Sequence, residues 1–348
     1  MRRLPIYFLI DVSESMIGTP IEQVQDGMAT IIKELRTDPY SLETAWISVI
    51  AFAGKAKVLT PLTELYKFYP PKFPIGGGTS LGVALNYLMD DMDSTIQKTT
   101  MDEKGDWKPI VFLFTDGNPT DNPDAAFNRW NNKYRRGCNL IVVSIGDNVN
   151  TNRLGRISDN VLRLNETDSN SVKTFFKWVT ASIKTSSVSV SDYADDDIKL
   201  ASMEGINLEK VDTQKPCLVD ENFVVIKGKC QTTKHLYLIK YAKRLENSEF
   251  VPEQYVRFYK LVGAYQIDEE SYNELSEKNS NQQKINTSEV LGQPTCPCCG
   301  NQFGLVICEC GNVFCVGEEV YSKCPWCGLE GELSSVGEEG IDLNRTRG

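Results

Sequence analysis

Residues 6–16 read IYFLIDVSESM: a five-residue apolar run, Ile6 to Ile10, and then three oxygen-bearing side chains, Asp11, Ser13 and Ser15, on alternate positions. A short apolar run rich in β-branched and aromatic residues marks a strand covered on both faces, as strands of parallel sheets are. Serine and aspartate are also ordinary turn and cap residues, so the alternation gains meaning only from what lies elsewhere in the chain.

Working outward, three more such runs follow, at Ala45–Phe52, Ile110–Phe114 and Leu140–Ile145. Between them apolar residues recur at helical spacing. Ile21, Val24, Met28, Ile31, Ile32 and Leu35 form one stripe, after a Thr19-Pro20-Ile21-Glu22 start that reads as N-cap, Pro at N1 and Glu at N3. Leu81, Ala84, Leu85, Leu88, Met89 and Met92 form a second; Phe127, Trp130 and Tyr134 a third; Val172, Phe175, Phe176, Val179 and Ile183 a fourth. Strands separated by helices predict right-handed crossovers and an α/β fold with a doubly wound, mainly parallel sheet over residues 1–186.

Beyond it the pattern changes. Residues 187–272 hold the alternating Ser-Val-Ser-Val-Ser, the acidic Asp195-Asp196-Asp197 and strand-like runs at Phe223–Ile226 and His235–Tyr241, which predicts a β-rich connector. Residues 273–293 are polar and read as a flexible linker. A cysteine-rich segment over 294–333 reads as a small zinc ribbon, and the Gly/Ser/Glu-rich residues 334–348 as a disordered tail.

Composition narrows the function. The 348 residues carry 47 acidic against 37 basic side chains, a net charge of −10, which argues against a nucleic-acid partner because phosphate binding needs a positive patch. No apolar stretch approaches membrane-spanning length. Met1-Arg2-Arg3 and the apolar residues after it are too short for a secretory signal, so a cytoplasmic location is expected. Of 11 cysteines, Cys138, Cys217 and Cys230 are isolated and eight fall between Cys296 and Cys327, a clustering that points to metal rather than disulfides.

In a parallel α/β sheet ligands gather outside the carboxyl ends of the strands. Loops there carry Asp11, Ser13 and Ser15; Gly76-Gly77-Gly78-Thr79-Ser80; and Thr115-Asp116-Gly117. Two carboxylates and several hydroxyls suit a hard divalent ion, Mg²⁺ or Mn²⁺ (Ca²⁺ is a further possibility), with a position left for an acidic group from a partner. Asn118, Thr120 and Asp121 could tune this site but are expected to cap the next helix. The glycine run lacks the lysine and spacing of a phosphate loop. An aspartyl phosphotransferase would want a second acid where Ser13 stands. His235, the one histidine, reads as a strand residue rather than a catalytic base.

Asp-x-Ser-x-Ser, a distal Gly-Gly-Thr and a later Thr-Asp-Gly, in this order on strand-helix units, resemble the von Willebrand factor A (vWA) domain, a Rossmann-like fold. The resemblance covers roughly residues 4–186 and fills all five positions of that family's metal-ion-dependent adhesion site: Asp11, Ser13, Ser15, Thr79 and Asp116. It implies that the serines and Thr79 are direct ligands, and the aspartates direct or through water.

Cys296-Pro-Cys-Cys299-Gly and Cys324-Pro-Trp-Cys327-Gly are zinc knuckles, in which the Cys-x-x-Cys-Gly turn brings two thiolates onto one ion. Two knuckles separated by 24 residues can close a Cys₄ site of Cys296, Cys299, Cys324 and Cys327. Cys308, Cys310 and Cys315 either belong to a second site, with Cys298, or are buried small hydrophobes; one structural Zn²⁺ is the expectation.

An A domain, a connector and this cysteine pattern together resemble the TerY-type tellurite-resistance proteins and their C-terminal zinc ribbon. That resemblance implies a non-enzymatic, cytoplasmic protein-binding module working beside a protein kinase and a PP2C-type phosphatase. A metal-dependent hydrolase or phosphatase using the Asp11/Asp116 ion is the alternative, weakened by the lack of a general base. A nucleic-acid-binding ribbon is disfavoured by Glu309, Glu318, Glu319, Glu330 and Glu332.

Overall fold

A computed structural model describes residues 2–116, 119–145, 154–164, 176–185, 222–247, 255–277, 283–319, 321–333 and 340–346. In the first half, strands β1 (Leu4–Asp11), β2 (Ala45–Phe52), β3 (Ala56–Glu64), β4 (Ile110–Thr115), β5 (Asn139–Ile145) and β6 (Asn160–Leu164) form one sheet in the order β3-β2-β1-β4-β5-β6. All neighbours are parallel except the β2–β3 hairpin. The expected strands are present. The hairpin strand β3 escaped the sequence reading because it is half-exposed, so its apolar residues form no run.

The alternation in β1 divides its side chains between two cores. Leu4, Ile6, Phe8 and Ile10 face α1 (Thr19–Leu35) and the helix over 176–185, here α5. Tyr7 and Leu9 face α3 (Leu81–Thr95) and α4 (Asp124–Lys133). Helices thus cover both faces, and the strand order reverses direction at β1. The stripes expected for α1 and α3 are buried as read, apart from the half-buried Ile21. In the fourth stripe Phe176, Val179 and Ile183 are buried, while Val172 and Phe175 lie outside the described residues. Helix α1 starts a residue earlier than expected, with Gly18 rather than Thr19 at the N-cap, and a short α2 (Pro39–Thr44) leads into β2.

The second half corrects the expected domain boundaries. Strands β7 (Phe223–Lys229), β8 (Leu236–Asn247) and β9 (Tyr255–Gln266), from the expected connector, share one sheet with β12 (Phe303–Ile307) and β13 (Val313–Val316) from the expected ribbon. Helix α6 (Glu269–Leu275) precedes β10 (Gln283–Asn286) and β11 (Val290–Leu291), where a flexible linker was expected. The expected disordered tail supplies β16 (Asp342–Arg345), antiparallel to β10. The reason is a thin shared core: Ile285 and Leu343 pack with Val224, Tyr237, Cys230, Cys296 and Cys315, which ties described parts of the expected linker and tail to the sheet. Residues 278–282 of the expected linker lie outside the described residues. A small hairpin of β14 (Tyr321–Lys323) and β15 (Glu330–Glu332) completes this half. Residues 187–221 and 334–339 of the expected connector and tail lie outside the described residues. Among the described residues no helix is long and apolar enough to cross a membrane.

Candidate adhesion site and metal centres

The sheet's reversal point places the three oxygen-bearing loops together. β1 hands Asp11 to a turn, and Val12 remains bonded through its N–H to Phe52 of the next strand (2.8 Å). β4 ends at Thr115 beside it, delivering Asp116. The glycine run enters from the side, where Gly76 N–H donates to the Val12 carbonyl (2.8 Å) and Ser80 N–H to Ala53 (2.7 Å). These backbone bonds, not the ligand side chains, fix the loops.

Asp11, Ser13, Ser15, Thr79 and Asp116 are all brought to this rim, each at most 3% exposed. Asp11 Oδ1 accepts from its own turn, Ser13 N–H, at 2.9 Å, and Oδ2 from Thr115 Oγ1 at 2.6 Å. Ser13 Oγ and Ser15 Oγ lie 3.0 Å apart, and Ser15 Oγ donates to Asp116 Oδ1 at 2.9 Å. The result is an unbroken chain, Asp11–Ser13–Ser15–Asp116, ending in a carboxylate on each side. Thr79 is fixed through its backbone: its N–H donates to Thr120 Oγ1 at 2.9 Å and its carbonyl accepts from Thr120 N–H at 2.8 Å.

Burying two carboxylates is costly unless a cation or strong donors face them. Neutral hydroxyls and two aspartates form an all-oxygen donor set matched to a hard divalent ion. The residues present therefore fit a Mg²⁺-type cation.

Two neighbours behave otherwise than expected. Asp121 caps not the helix that follows it but α3, accepting from Gly82 N–H at 2.8 Å and Val83 N–H at 3.3 Å. Burial raises its pKa, against the pull of those backbone bonds. Thr120 holds Thr79 rather than a helix end, and Asn118 lies outside the described residues. Sequence reasoning missed Lys240 altogether. This β8 lysine is 3% exposed, and its ammonium donates to the backbone carbonyls of Ser15 and, at 3.4 Å, Ile17. A lysine in an otherwise apolar strand, Leu236-Tyr-Leu-Ile-Lys240-Tyr, is the signal that could have found it.

The cysteines form two clusters where one was expected. Cys230, Cys296, Cys299 and Cys315 make the first, and Cys308, Cys310, Cys324 and Cys327 the second, with the four sulfurs of each within 4.8 Å of one another. The proposed Cys296/Cys299/Cys324/Cys327 site is therefore corrected: its two knuckles belong to different centres. The cause is strand pairing. β13 lies parallel to β7, which sets Cys315 beside Cys230, just past the end of β7. The turn joining β12 to β13 instead presents Cys308 and Cys310 to the second knuckle.

Tetrahedral Zn–S bonds of about 2.3 Å require sulfurs about 3.8 Å apart. Cys299–Cys315, Cys315–Cys230, Cys308–Cys327 and Cys310–Cys324 stand at 3.7, 3.8, 3.6 and 3.9 Å. The donor sets fit two zinc ions. Gly300, Gly311 and Gly328 have φ of 79°, 78° and 79°, the left-handed turn that aims backbone N–H groups at the loop just formed. Burial works against ionising Cys230, but hydrogen bonds led by those from Thr233 bring its thiol down to about 6. Cys298 belongs to neither cluster; burial pushes its thiol up to about 12. Cys138 is buried in the first half, and Cys217 lies outside the described residues.

Comparison with known families agrees with this division. Residues 6–178 match the von Willebrand factor type A domain, and residues 220–348 the TerY-C metal binding domain. The protein is a vWA protein with a TerY-C domain. The TerY-C match spans all six strands of the mixed sheet (β7, β8, β9, β11, β12 and β13) and both cysteine clusters, so the metal centres are integral to that domain. Among solved structures, proximal thread matrix protein 1 from the mussel byssus (crystal form 2) is 20% identical, covering 52% of this chain and 48% of its own, with a TM-score of 0.40. The same protein with a zinc-occupied MIDAS motif is 17% identical over 51% of this chain and 46% of its own, at 0.37. A von Willebrand factor type A protein from Catenulispora acidiphila is 13% identical over 82% of this chain and 61% of its own, at 0.41. This vWA–TerY-C chain spans about half the length of the mussel protein, and likenesses this loose carry no functional argument.

Proposed function

We propose that the protein is a non-enzymatic binding scaffold whose adhesion site grips an acidic group of a protein partner. The observation that carries this reading is the buried Asp11–Ser13–Ser15–Asp116 chain with Thr79 beside it. A divalent ion held there supplies an electrophilic centre for a carboxylate oxygen. Because three of the five ligand side chains are neutral, two aspartates only balance the ion's charge, and an added carboxylate is attracted.

The neighbouring groups favour binding over turnover. Hydrolysis needs a positioned proton acceptor. Glu14 accepts the Tyr272 hydroxyl, Asp121 caps α3, and His235 is an exposed residue of the β7–β8 turn whose carbonyl accepts from Cys230 N–H. The alternative, a metal-dependent phosphatase or hydrolase at the Asp11/Asp116 ion, has no base to call on from these. The two zinc centres are structural in this reading, since each has four thiolates and no open position.

The partners proposed are a PP2C-type phosphatase and a protein kinase of a tellurite-resistance-type phosphorylation system in the cytoplasm, with neither nucleic acid nor membrane bound. Support for them is the TerY-type resemblance alone. An affinity pull-down with the full chain, with and without EDTA, tests both levels. Capture of these partners in Mg²⁺, lost in EDTA and in Asp11→Ala, is expected; Asp11→Ala binding in EDTA as tightly as the parent in Mg²⁺ would refute the ion's role. Mg²⁺-dependent phosphopeptide turnover that vanishes in Asp116→Ala would establish the enzyme instead.

A further inference from the structure

Besides Lys240, one segment of the TerY-C domain makes a run of contacts with the vWA domain. Residues 272–277, the end of α6 and the two residues after it, reach two of the three loops of the adhesion site, the turn after β1 and the glycine run. Tyr272 donates its hydroxyl hydrogen to Glu14, the buried residue between the two ligand serines. Leu275 packs into the vWA core, and its carbonyl accepts from Lys55 N–H at 2.9 Å. Ser276 Oγ accepts from Gly77 N–H at 2.7 Å. Glu277 Oε1 accepts from Ser80 Oγ at 3.1 Å, and Ser80 directly follows the ligand Thr79.

Three glycines make this approach possible. A Cβ at Gly54 would stand 2.5 Å from Glu277 N, one at Gly76 2.6 Å from Leu275 Cβ, and one at Gly77 3.0 Å from Ser276 Oγ. The glycine run therefore accommodates a protein segment pressed against the site. Beside Glu277 lies a cavity of about 570 Å³ whose wall includes Gly78, Lys227, Trp326 and Arg345. A second carboxylate has room to approach there, with cations to meet it.

We propose that Glu277 is the adhesion site's own acidic ligand, supplied in cis by the TerY-C domain, and that a partner's carboxylate competes with it for the ion. Residues 272–277 then act as a latch, closed over the site until an acid from outside takes Glu277's place through the adjoining cavity. The idea rests on reading Asp11, Ser13, Ser15, Thr79 and Asp116 as an ion site. It adds a regulation to that site: affinity for a partner is set against an internal competitor at high effective concentration.

The test uses the full chain and Mn²⁺ alone, with two readouts: Mn²⁺ affinity by electron paramagnetic resonance, and amide exchange across residues 269–277. Glu277→Gln, nearly isosteric, should weaken Mn²⁺ about tenfold, since a full negative charge near the ion is removed. Mn²⁺ should slow exchange in the latch of the parent and not in Glu277→Gln. Ser80→Ala keeps the carboxylate and should stay within about threefold of the parent. If Glu277→Gln binds Mn²⁺ as tightly as the parent while Asp11→Ala abolishes binding, the adhesion site stands and the latch proposal falls. If the parent and Asp11→Ala bind Mn²⁺ equally, the ion site itself falls, and the proposal with it.

Discussion

The adhesion site and the cysteine clusters are both metal-ligand arrays, yet they relate to their domains in opposite ways. The adhesion site is carried on a sheet with a helix-covered core on each face, and its loops are held by backbone bonds and by hydrogen bonds through Thr115, Ser13 and Ser15. In the proposed reading the ion is a passenger on a finished fold. In the TerY-C domain Cys230, Cys296 and Cys315 are members of the hydrophobic core itself, packed with Tyr237, Val224 and Ile285. There the metal takes the place of apolar mass, as small domains with little interior require. Position in the core, rather than ligand count, decides whether a metal serves binding or folding.

The most damaging way to probe the difference is Cys315→Ser. It should lower zinc from two ions per chain to one, by elemental analysis of freshly reduced protein. It should also cost several kcal/mol, on the order expected when a folding metal is lost, and melt the TerY-C sheet while leaving the vWA helices intact by circular dichroism. A parent with one zinc would break the two-centre arrangement.

A smaller effect is expected from Lys240→Met. The lysine bridges the two regions by donating to Ser15 and Ile17 from a strand of the other domain. Methionine fills much of the volume but leaves those buried carbonyls a donor short, a cost of about 1–3 kcal/mol. Denaturant unfolding should show that loss. Unchanged stability would mean that water replaces the ammonium.

The least effect should come from Lys57→Ala. Lys57 pairs with Glu274 of α6 at 2.7 Å, but both side chains are about half-exposed (47% and 52%). Such a pair is worth under about 0.5 kcal/mol and should be lost in salt. A larger change, in the melting point or in amide exchange of α6, would show that the two domains are held together mainly at this rim.

Much of this was legible in the residues alone. The four apolar runs, the helical stripes and the gathering of Asp11, Ser13, Ser15, Thr79 and Asp116 at one rim depend on local rules: periodicity, strand alternation, and loops at the carboxyl ends of parallel strands. Local rules apply because each of those segments makes its own element, and the sheet only has to stack them. Both knuckles were likewise visible as Cys-x-x-Cys-Gly turns. What they paired with was not, because thiolate partnership depends on which strands lie side by side, and β7 and β13 are more than 80 residues apart in the chain. Cys230 looked solitary for that reason. Lys240, the latch and the use of three glycines against it are long-range in the same sense: they exist only where two separately folded surfaces meet. Sequence by itself determined the elements and the chemistry of each ligand. Tertiary structure decided which ligands share an ion and what covers the site, since both follow from contacts between segments that no local periodicity connects.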